Sequence, residues 1–421
     1  MNDHDAERLR ALLENDGLKR VESVDDADVL VYNTCTVRRS ADDRLAGQLG
    51  EAARVKALDP RRLVVLAGCL PQVEREALFE RFPFVDVALG PQHLHELPAA
   101  LAAGRQQGYF DGEGTLSGEL PAHRERPFQA WVQIIAGCTN ACAYCIVPAA
   151  RGPERSRAPE AVLAEVRALV ADGVLEVTLL GQNVNAFGND LAGPGRPTFA
   201  GLLGSLDAIE GLRRVRFTTS HPRDLSDELV EAIAALPTVC EHIHLPAQSG
   251  SDRTLAAMGR GYTRDWYLGR IQAMRAAVPD IAVTTDLMVG FPGETGDDFD
   301  DTLRLVEAAG FDAAFTFVYS ARPGTAAAAL PEQVVPEIAL ERVGRLVEAT
   351  QAQSLRRRSA TVGSTVEVLV EGESRHGGQL RGRNRQNVTV NFAGAAEPGE
   401  LVPVLITAAT STTLRGRAVT P

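Results

Sequence analysis

The chain has 421 residues, 45% hydrophobic and 23% charged, with six cysteines and a formal net charge of −12. This length predicts two to three domains with sizeable cores, and the acidity argues against a protein that coats nucleic acid non-specifically. No apolar run approaches the roughly 18 residues a membrane helix needs, so no membrane span is expected. The polar start Asn2-Asp3-His4-Asp5 predicts no secretory signal. Cysteine spacings unlike a disulfide framework fit a reducing cytoplasm and metal-bound thiolates. Charge is uneven: from Arg356 onward nine Arg and no Lys face five Glu and no Asp, a basic tail on an acidic body.

Residues 1–103 read as a parallel α/β, Rossmann-like domain. A helix at Asp5–Glu14 precedes apolar strands at 28–33, 63–67 and 84–89, with helices between them. Ligands of such sheets bind beyond the strands' carboxyl ends. Cys35 follows the first strand and Cys69 the second, so both thiols are expected at one edge on adjacent loops. An α/β domain that opens on a helix predicts a further strand, ending in a further cysteine, ahead of Met1.

Residues 104–126, polar and glycine-rich, read as a linker. From 127 to about 354 strand and helix alternate, with strands near 130–135, 176–180, 214–218, 240–245, 282–289 and 314–319. Six such units predict a partial TIM-like (β/α)6 barrel whose active face is the carboxyl end of the strands. The first strand delivers Cys138-Thr139-Asn140-Ala141-Cys142-Ala143-Tyr144-Cys145, a C-x3-C-x2-C run. A four-iron cluster takes four thiolates in its closed form, and this run supplies three, leaving one position open for chemistry. A zinc site would show a fourth Cys or His nearby, but His123 and His221 are distant in sequence. Polar residues collect at the strand ends: Gln182, Asn183, Ser220, Gln248 and Asp286 are candidate cofactor contacts or structural caps. Cys240 reads as a small core residue, and His242 and His244 as barrel-lining or satisfied core groups.

Residues 357–421 change to short strands with glycine turns, predicting a small antiparallel β-barrel. Arg381, Arg383 and Arg385 in one expected turn, and Arg415 and Arg417 near the end, are candidate phosphate contacts.

On these residues the chain resembles the radical S-adenosylmethionine (SAM) methylthiotransferases, of the type acting on isopentenylated adenosine in tRNA. Asn33-Thr34-Cys35, Ala67-Gly68-Cys69, the triple cysteine with the Arg151-Gly152-Pro153-Glu154-Arg155-Ser156-Arg157 segment after it, and Leu180-Gly181-Gln182-Asn183-Val184-Asn185 carry the likeness. It continues through Ser220-His221-Pro222, the 244–251 segment and the 319–325 segment, and the last 60 or so residues are similar to the TRAM RNA-binding module.

The resemblance implies that Cys138, Cys142 and Cys145 hold a 4Fe–4S cluster that binds SAM, with Tyr144 beside it. It implies that Cys35 and Cys69, with a third cysteine, hold an auxiliary 4Fe–4S cluster that handles sulfur. One SAM would donate a methyl group and a second a radical, so that C2 of the isopentenyladenosine 3′ of the anticodon is methylthiolated. A monomer served by an electron donor and a sulfur source is expected. Alternatives are a methylthiotransferase for threonylcarbamoyl-adenosine or for a ribosomal-protein aspartate. A non-catalytic iron–sulfur RNA-binding redox sensor is a further alternative, of another class.

Overall fold

Continuous apolar runs build the first sheet. The computed structural model describes residues 1–36, 39–104, 106–112, 114–193, 195–375 and 377–419, with only the backbone of 39–44. Val29–Thr34 (β1), Leu63–Gly68 (β2), Val87–Leu89 (β3) and Gln107–Tyr109 (β4) pair in parallel in that order. Val64, Val65, Leu66 and Ala67 are wholly buried because helices cover both faces. Leu49, Ala52, Val55 and Leu78 pack on one side and Leu9, Leu97 and Ala100 on the other. Each fully buried aliphatic side chain of this size contributes about 1.5–3 kcal/mol.

Two expectations need correction here. The stretch 104–126 is not only a linker, since β4 lies inside it as the sheet's last strand. Beyond β4, Leu116, Ser117 and Gly118 are buried, with Gly118 N donating to Gln133 Oε1 at 2.8 Å. A three-residue strand centred on glycine is too short for the period-2 signal that marks longer strands. The third strand also starts later than expected, at Val87. Asp86 turns its carboxylate onto Val64 N at 2.8 Å and Lys56 Nζ at 2.6 Å.

The central domain has six parallel strands. Gln129–Gln133 (β5), Glu176–Leu180 (β8) and Arg214–Thr218 (β9) form one ladder, and His242–His244 (β10), Ala282–Val289 (β11) and Ala313–Val318 (β12) another. A parallel bridge between Val215 and Val239 joins them. Between β5 and β8 a short antiparallel pair, Ile135–Ala136 (β6) and Arg155–Ser156 (β7), clasps the base of the cysteine loop. Strand residues such as Val177, Leu179, Val215, Phe217, Ile243 and Val283 point outward into the large helix-covered core. The alternate residues that line the interior are mostly polar: Glu176, Thr178, Arg216, His242, His244, Thr284 and Asp286. A closed TIM barrel is filled with apolar side chains. This open one leaves a polar lumen.

The C-terminal strands Thr365–Glu373 (β13), Leu380–Asn384 (β14), Thr389–Ala393 (β15), Leu401–Ala409 (β16) and Thr413–Ala418 (β17) close in the order β13-β14-β15-β17-β16. Val368, Val370, Val390, Phe392, Val404, Ile406 and Leu414 fill it. The barrel is not wholly antiparallel, because β15 and β17 run parallel. Arg381 and Arg383 also sit on a strand, β14, rather than in a turn. The β15–β17 pairing skips β16, so no local pattern reveals it.

Candidate active site

The three-cysteine loop is shaped by its neighbours. Gly137 has φ +72°, and a Cβ there would stand 2.0 Å from Pro153 O, so only glycine makes this turn without strain. Its N–H donates to Gln182 Oε1 at 2.7 Å and that of Cys138 to Gly152 O at 3.1 Å. Ala143 N donates to Met258 O at 2.9 Å and Ala327 N to Ala143 O at 2.8 Å. Asn140 Nδ2 lies 3.4 Å from Cys138 Sγ and Arg260 Nη1 3.3 Å from Cys142 Sγ. Burial raises the Cys138 thiol and pushes that of Cys145 up to about 11. Tyr144 is half-buried, with Arg260 Nη1 3.4 Å from its hydroxyl, and burial raises it as well. Arg260 escaped the sequence reading. Its only local signal is the Gly259-Arg260-Gly261 pattern, and its contact with Cys142 spans 118 residues.

The strand-end residues divide into two groups. Gln182 supports Gly137, and buried Asn183 donates to Asp224 Oδ2 at 2.7 Å and accepts from His221 N at 3.1 Å, so both amides are engaged within the protein. Gln248 holds a left-handed φ of +71° and is fixed through its backbone to Asp286 O and Met288 N, each at 2.8 Å. Thr219 Oγ1, Ser220 Oγ, His221 Nε2 and Tyr319 OH are buried polar atoms without a protein partner. An orphaned buried group costs about 1–3 kcal/mol, and four around one strand-end region fit a polar ligand such as SAM. His221 is kept neutral there, its pKa driven down to about 2 by burial and by Arg260 and Arg223.

Cys35 and Cys69 meet as expected beyond β1 and β2, whose ends pair Thr34 with Gly68. Thr34 Oγ1 donates to Ala67 O at 2.8 Å and accepts from Leu70 N at 3.2 Å, cross-linking the two loops. Arg151, from the helix after the triple cysteine, reaches into this site. It donates to Asp5 Oδ2 at 2.7 Å, and its positive charge opposes the rise that burial imposes on the Cys69 thiol. Burial would raise the Asp5 carboxyl, but Arg151 and His4 hold it well below the usual carboxylate range. The two thiol sites therefore adjoin through one buried ion pair. Among the described residues no three Cys, His, Asp or Glu side chains converge on a point that a single metal ion would occupy. Three cysteine sulfurs delivered by one loop, with the Arg260 guanidinium beside one of them, are a donor set of the chemistry that iron–sulfur clusters take.

A cavity of 1710 Å³ fills the lumen. It is lined by Asn33 and the helix at Asn2–Asn15, by barrel residues Trp131, Thr218, His244, Asp286 and Phe315, and by Arg383 and Asn387. All three domains thus face it. No cysteine lines it; it reaches the mouth at Thr218, Thr219 and Asp286. His242 Nε2 and His244 Nδ1 stand 3.1 and 3.0 Å from Thr284 Oγ1, and His244 Nε2 is 3.5 Å from Asp286 Oδ1. Burial and Arg216 depress His242 to about 3. Cys240, by contrast, is a core residue, 1% exposed.

The arginines expected to face phosphates are largely engaged inside the chain. Arg385 Nε lies 2.7 Å from Glu241 Oε2 and its Nη2 donates to Val239 O at 2.7 Å, docking the small barrel onto the large one. Arg381 and Arg383 flank buried Glu371 at 3.3 and 3.0 Å. From the other side Arg216 donates to Asn384 O and Arg385 O at 2.7 and 2.8 Å. Arg415 and Arg417 are exposed on β17.

Comparison with known proteins agrees with this geometry. Residues 132–306 match the Radical SAM superfamily, 1–90 the uncharacterized protein family UPF0004 and 359–419 the TRAM domain. The chain is 47% identical to the tRNA-2-methylthio-N(6)-dimethylallyladenosine synthase of Pelotomaculum thermopropionicum, over 99% of this chain and 95% of that protein. It is 45% identical to the synthase of that name from Thermoanaerobacter pseudethanolicus, over 100% and 90% of the two chains. In fold it is similar to the radical SAM methyltransferase TsrM from Kitasatospora setae, with a TM-score of 0.54 at 16% identity, covering 76% of this chain and 68% of that one. No helix of the described residues is long and apolar enough to cross a membrane. At 47% and 45% identity over at least 99% of this chain and 90% of each relative, the chain belongs to the tRNA-2-methylthio-N(6)-dimethylallyladenosine synthase family of radical SAM enzymes.

Proposed function

We propose that this chain methylthiolates C2 of N6-isopentenyladenosine next to the anticodon of tRNA, using SAM as methyl donor and radical source. The observation that carries this reading is the single polar lumen lined by all three domains. A base swung out of a tRNA loop can be read there by stacking and by its edge. Exposed Trp131 and Phe315, on the edge strands β5 and β12, offer aromatic faces to it, and Asp286 and the His244–Thr284 pair offer hydrogen bonds.

Cys138, Cys142 and Cys145 would hold the SAM-binding 4Fe–4S cluster. Cys35 and Cys69 would share an auxiliary one with a further ligand. When reduced and loaded with SAM, the first cluster supplies a carbon radical able to abstract hydrogen from an unactivated carbon, and the protein's part is orientation and exclusion of competing reactions. Thr219, Ser220 and Tyr319 would bind and orient SAM through the polar atoms the fold leaves unpartnered. Arg151, paired with Asp5 and with its charge felt at Cys69, would hold the two thiol sites in register. A one-electron donor and a sulfur source complete the system.

The test is anaerobic incubation of the reconstituted chain with SAM, dithionite and an anticodon stem–loop carrying isopentenyladenosine. The methylthio nucleoside and 5′-deoxyadenosine are expected, and neither from Cys142→Ala. An iron-loaded chain that released no 5′-deoxyadenosine would overturn the reading.

A further inference from the structure

Arg260 is a buried cation with no carboxylate. It is 5% exposed, and among the described residues its partners are neutral. Nη2 donates to Pro246 O at 2.9 Å, Nε to Tyr262 OH at 3.0 Å, and Nη1 lies 3.3 Å from Cys142 Sγ and 3.4 Å from Tyr144 OH. The guanidinium also stands over the Tyr262 ring, 5.4 Å from its centroid. Arg151, Arg216 and Arg342, buried to a similar degree, are each paired with a carboxylate, of Asp5, Glu176 and Glu294. An uncompensated buried charge is strongly destabilising, so this one calls for an anion that the polypeptide itself does not provide as a carboxylate.

The nearest group able to become anionic on metal binding is the Cys142 thiol, since metal ligation requires the thiolate. The scaffold also fixes Arg260 tightly. Gly259 has φ +70°, and a Cβ there would come within 2.9 Å of Ala141 O in the cysteine loop. Tyr262 OH further ties Arg260 to Pro246 O and Ala247 O at 3.1 and 3.0 Å. We infer that Arg260 is a positioning residue whose fixed positive charge, set against Cys142, makes the SAM cluster easier to reduce. Potentials of such clusters respond to net charge and to hydrogen bonds on their sulfurs. One-electron reduction, with dithionite as donor, adds a negative charge to the cluster, and a cation in contact with a ligand sulfur favours that state.

This inference rests on Cys138, Cys142 and Cys145 holding the cluster. The experiment is an anaerobic redox titration followed by electron paramagnetic resonance on the full chain, first without SAM and then with it. A Cys35→Ala/Cys69→Ala background leaves a single cluster in view. Arg260→Gln is expected to load iron and to show a midpoint shifted to more negative potential, while Arg260→Lys stays near the parent. Should Arg260→Gln fail to hold the cluster, full loading of Arg260→Lys supports the need for charge, and failure of both overturns it. An unchanged midpoint in Arg260→Gln, a shift of equal size in Arg260→Lys, or a shift seen only once SAM is added would each overturn the proposal. The last would assign Arg260 to the SAM carboxylate. A parent chain that took up no iron at all would instead remove the cluster assignment itself.

Discussion

Replacing Gly137 by alanine should disable the cysteine loop while leaving the barrel folded. The left-handed φ of +72° costs a β-carbon residue roughly 1–2 kcal/mol. The new Cβ would also stand 2.0 Å from Pro153 O and 2.5 Å from Gly152 O, and forcing atoms into a packed site costs about 1–3 kcal/mol more. The sum, about 2–5 kcal/mol, falls on the segment whose Gly152 O accepts from Cys138 N. At about 1.4 kcal/mol per tenfold, iron should be lost to a competing chelator at least tenfold more readily than from the parent. Gly173→Ala is the control, because Gly173 has φ +90° but nothing within 4 Å of its added carbon. It should lose about 1–2 kcal/mol of stability and keep its iron. If Gly137→Ala held iron as tightly as the parent, the loop geometry described above would be wrong.

Three further outcomes are expected. His242 titrates near 3 in the folded chain against about 6.5 when free, so unfolding takes up a proton between these values. Its contribution is full above pH 6.5 and is lost as pH falls toward 3, by up to about 1.4 kcal/mol per pH unit. Denaturant midpoints at pH 7 and pH 5 should lie closer together in His242→Asn than in the parent, and equal spacing would refute this. Arg385→Ala should loosen the small barrel by about 1.5–3 kcal/mol, the worth of hydrogen bonds to a charged group, with no change in the salt dependence of RNA binding. Arg415→Ala and Arg417→Ala should each lower that slope by about 1; the reverse pattern would restore Arg385 to the RNA face. In a Trp266→Phe background, emission from Trp131 should be quenched by a stem–loop carrying isopentenyladenosine and far less by one carrying adenosine. Binding without quenching would place the base outside the lumen.

The contrast between what could and could not be read from the sequence follows sequence distance. The placement of the C-x3-C-x2-C loop and of the two strand-end thiols was legible because its signal is local: a position after an apolar run in each case. The partial barrel was legible because its strands alternate with helices. Arg260 was not, since its partner Cys142 lies far off in sequence. The partner of Arg385 was equally illegible, since Glu241 lies 144 residues away. Seen locally, Arg381, Arg383 and Arg385 form a bare basic turn, but Glu371 and Glu241 come from other elements to meet them. The strand Gln107–Tyr109 was hidden by its brevity and its central glycine. The polar lining of the lumen follows from strand alternation, but which face turns inward is fixed only by where the helices pack.

The central claim is tested most directly in the cell that makes this chain. Nucleoside mass spectrometry of tRNA from a strain lacking it should show the methylthio group lost and isopentenyladenosine accumulated. Re-expression of the parent should restore the group and Cys142→Ala should not. An unchanged nucleoside profile in the deletion strain would contradict the account.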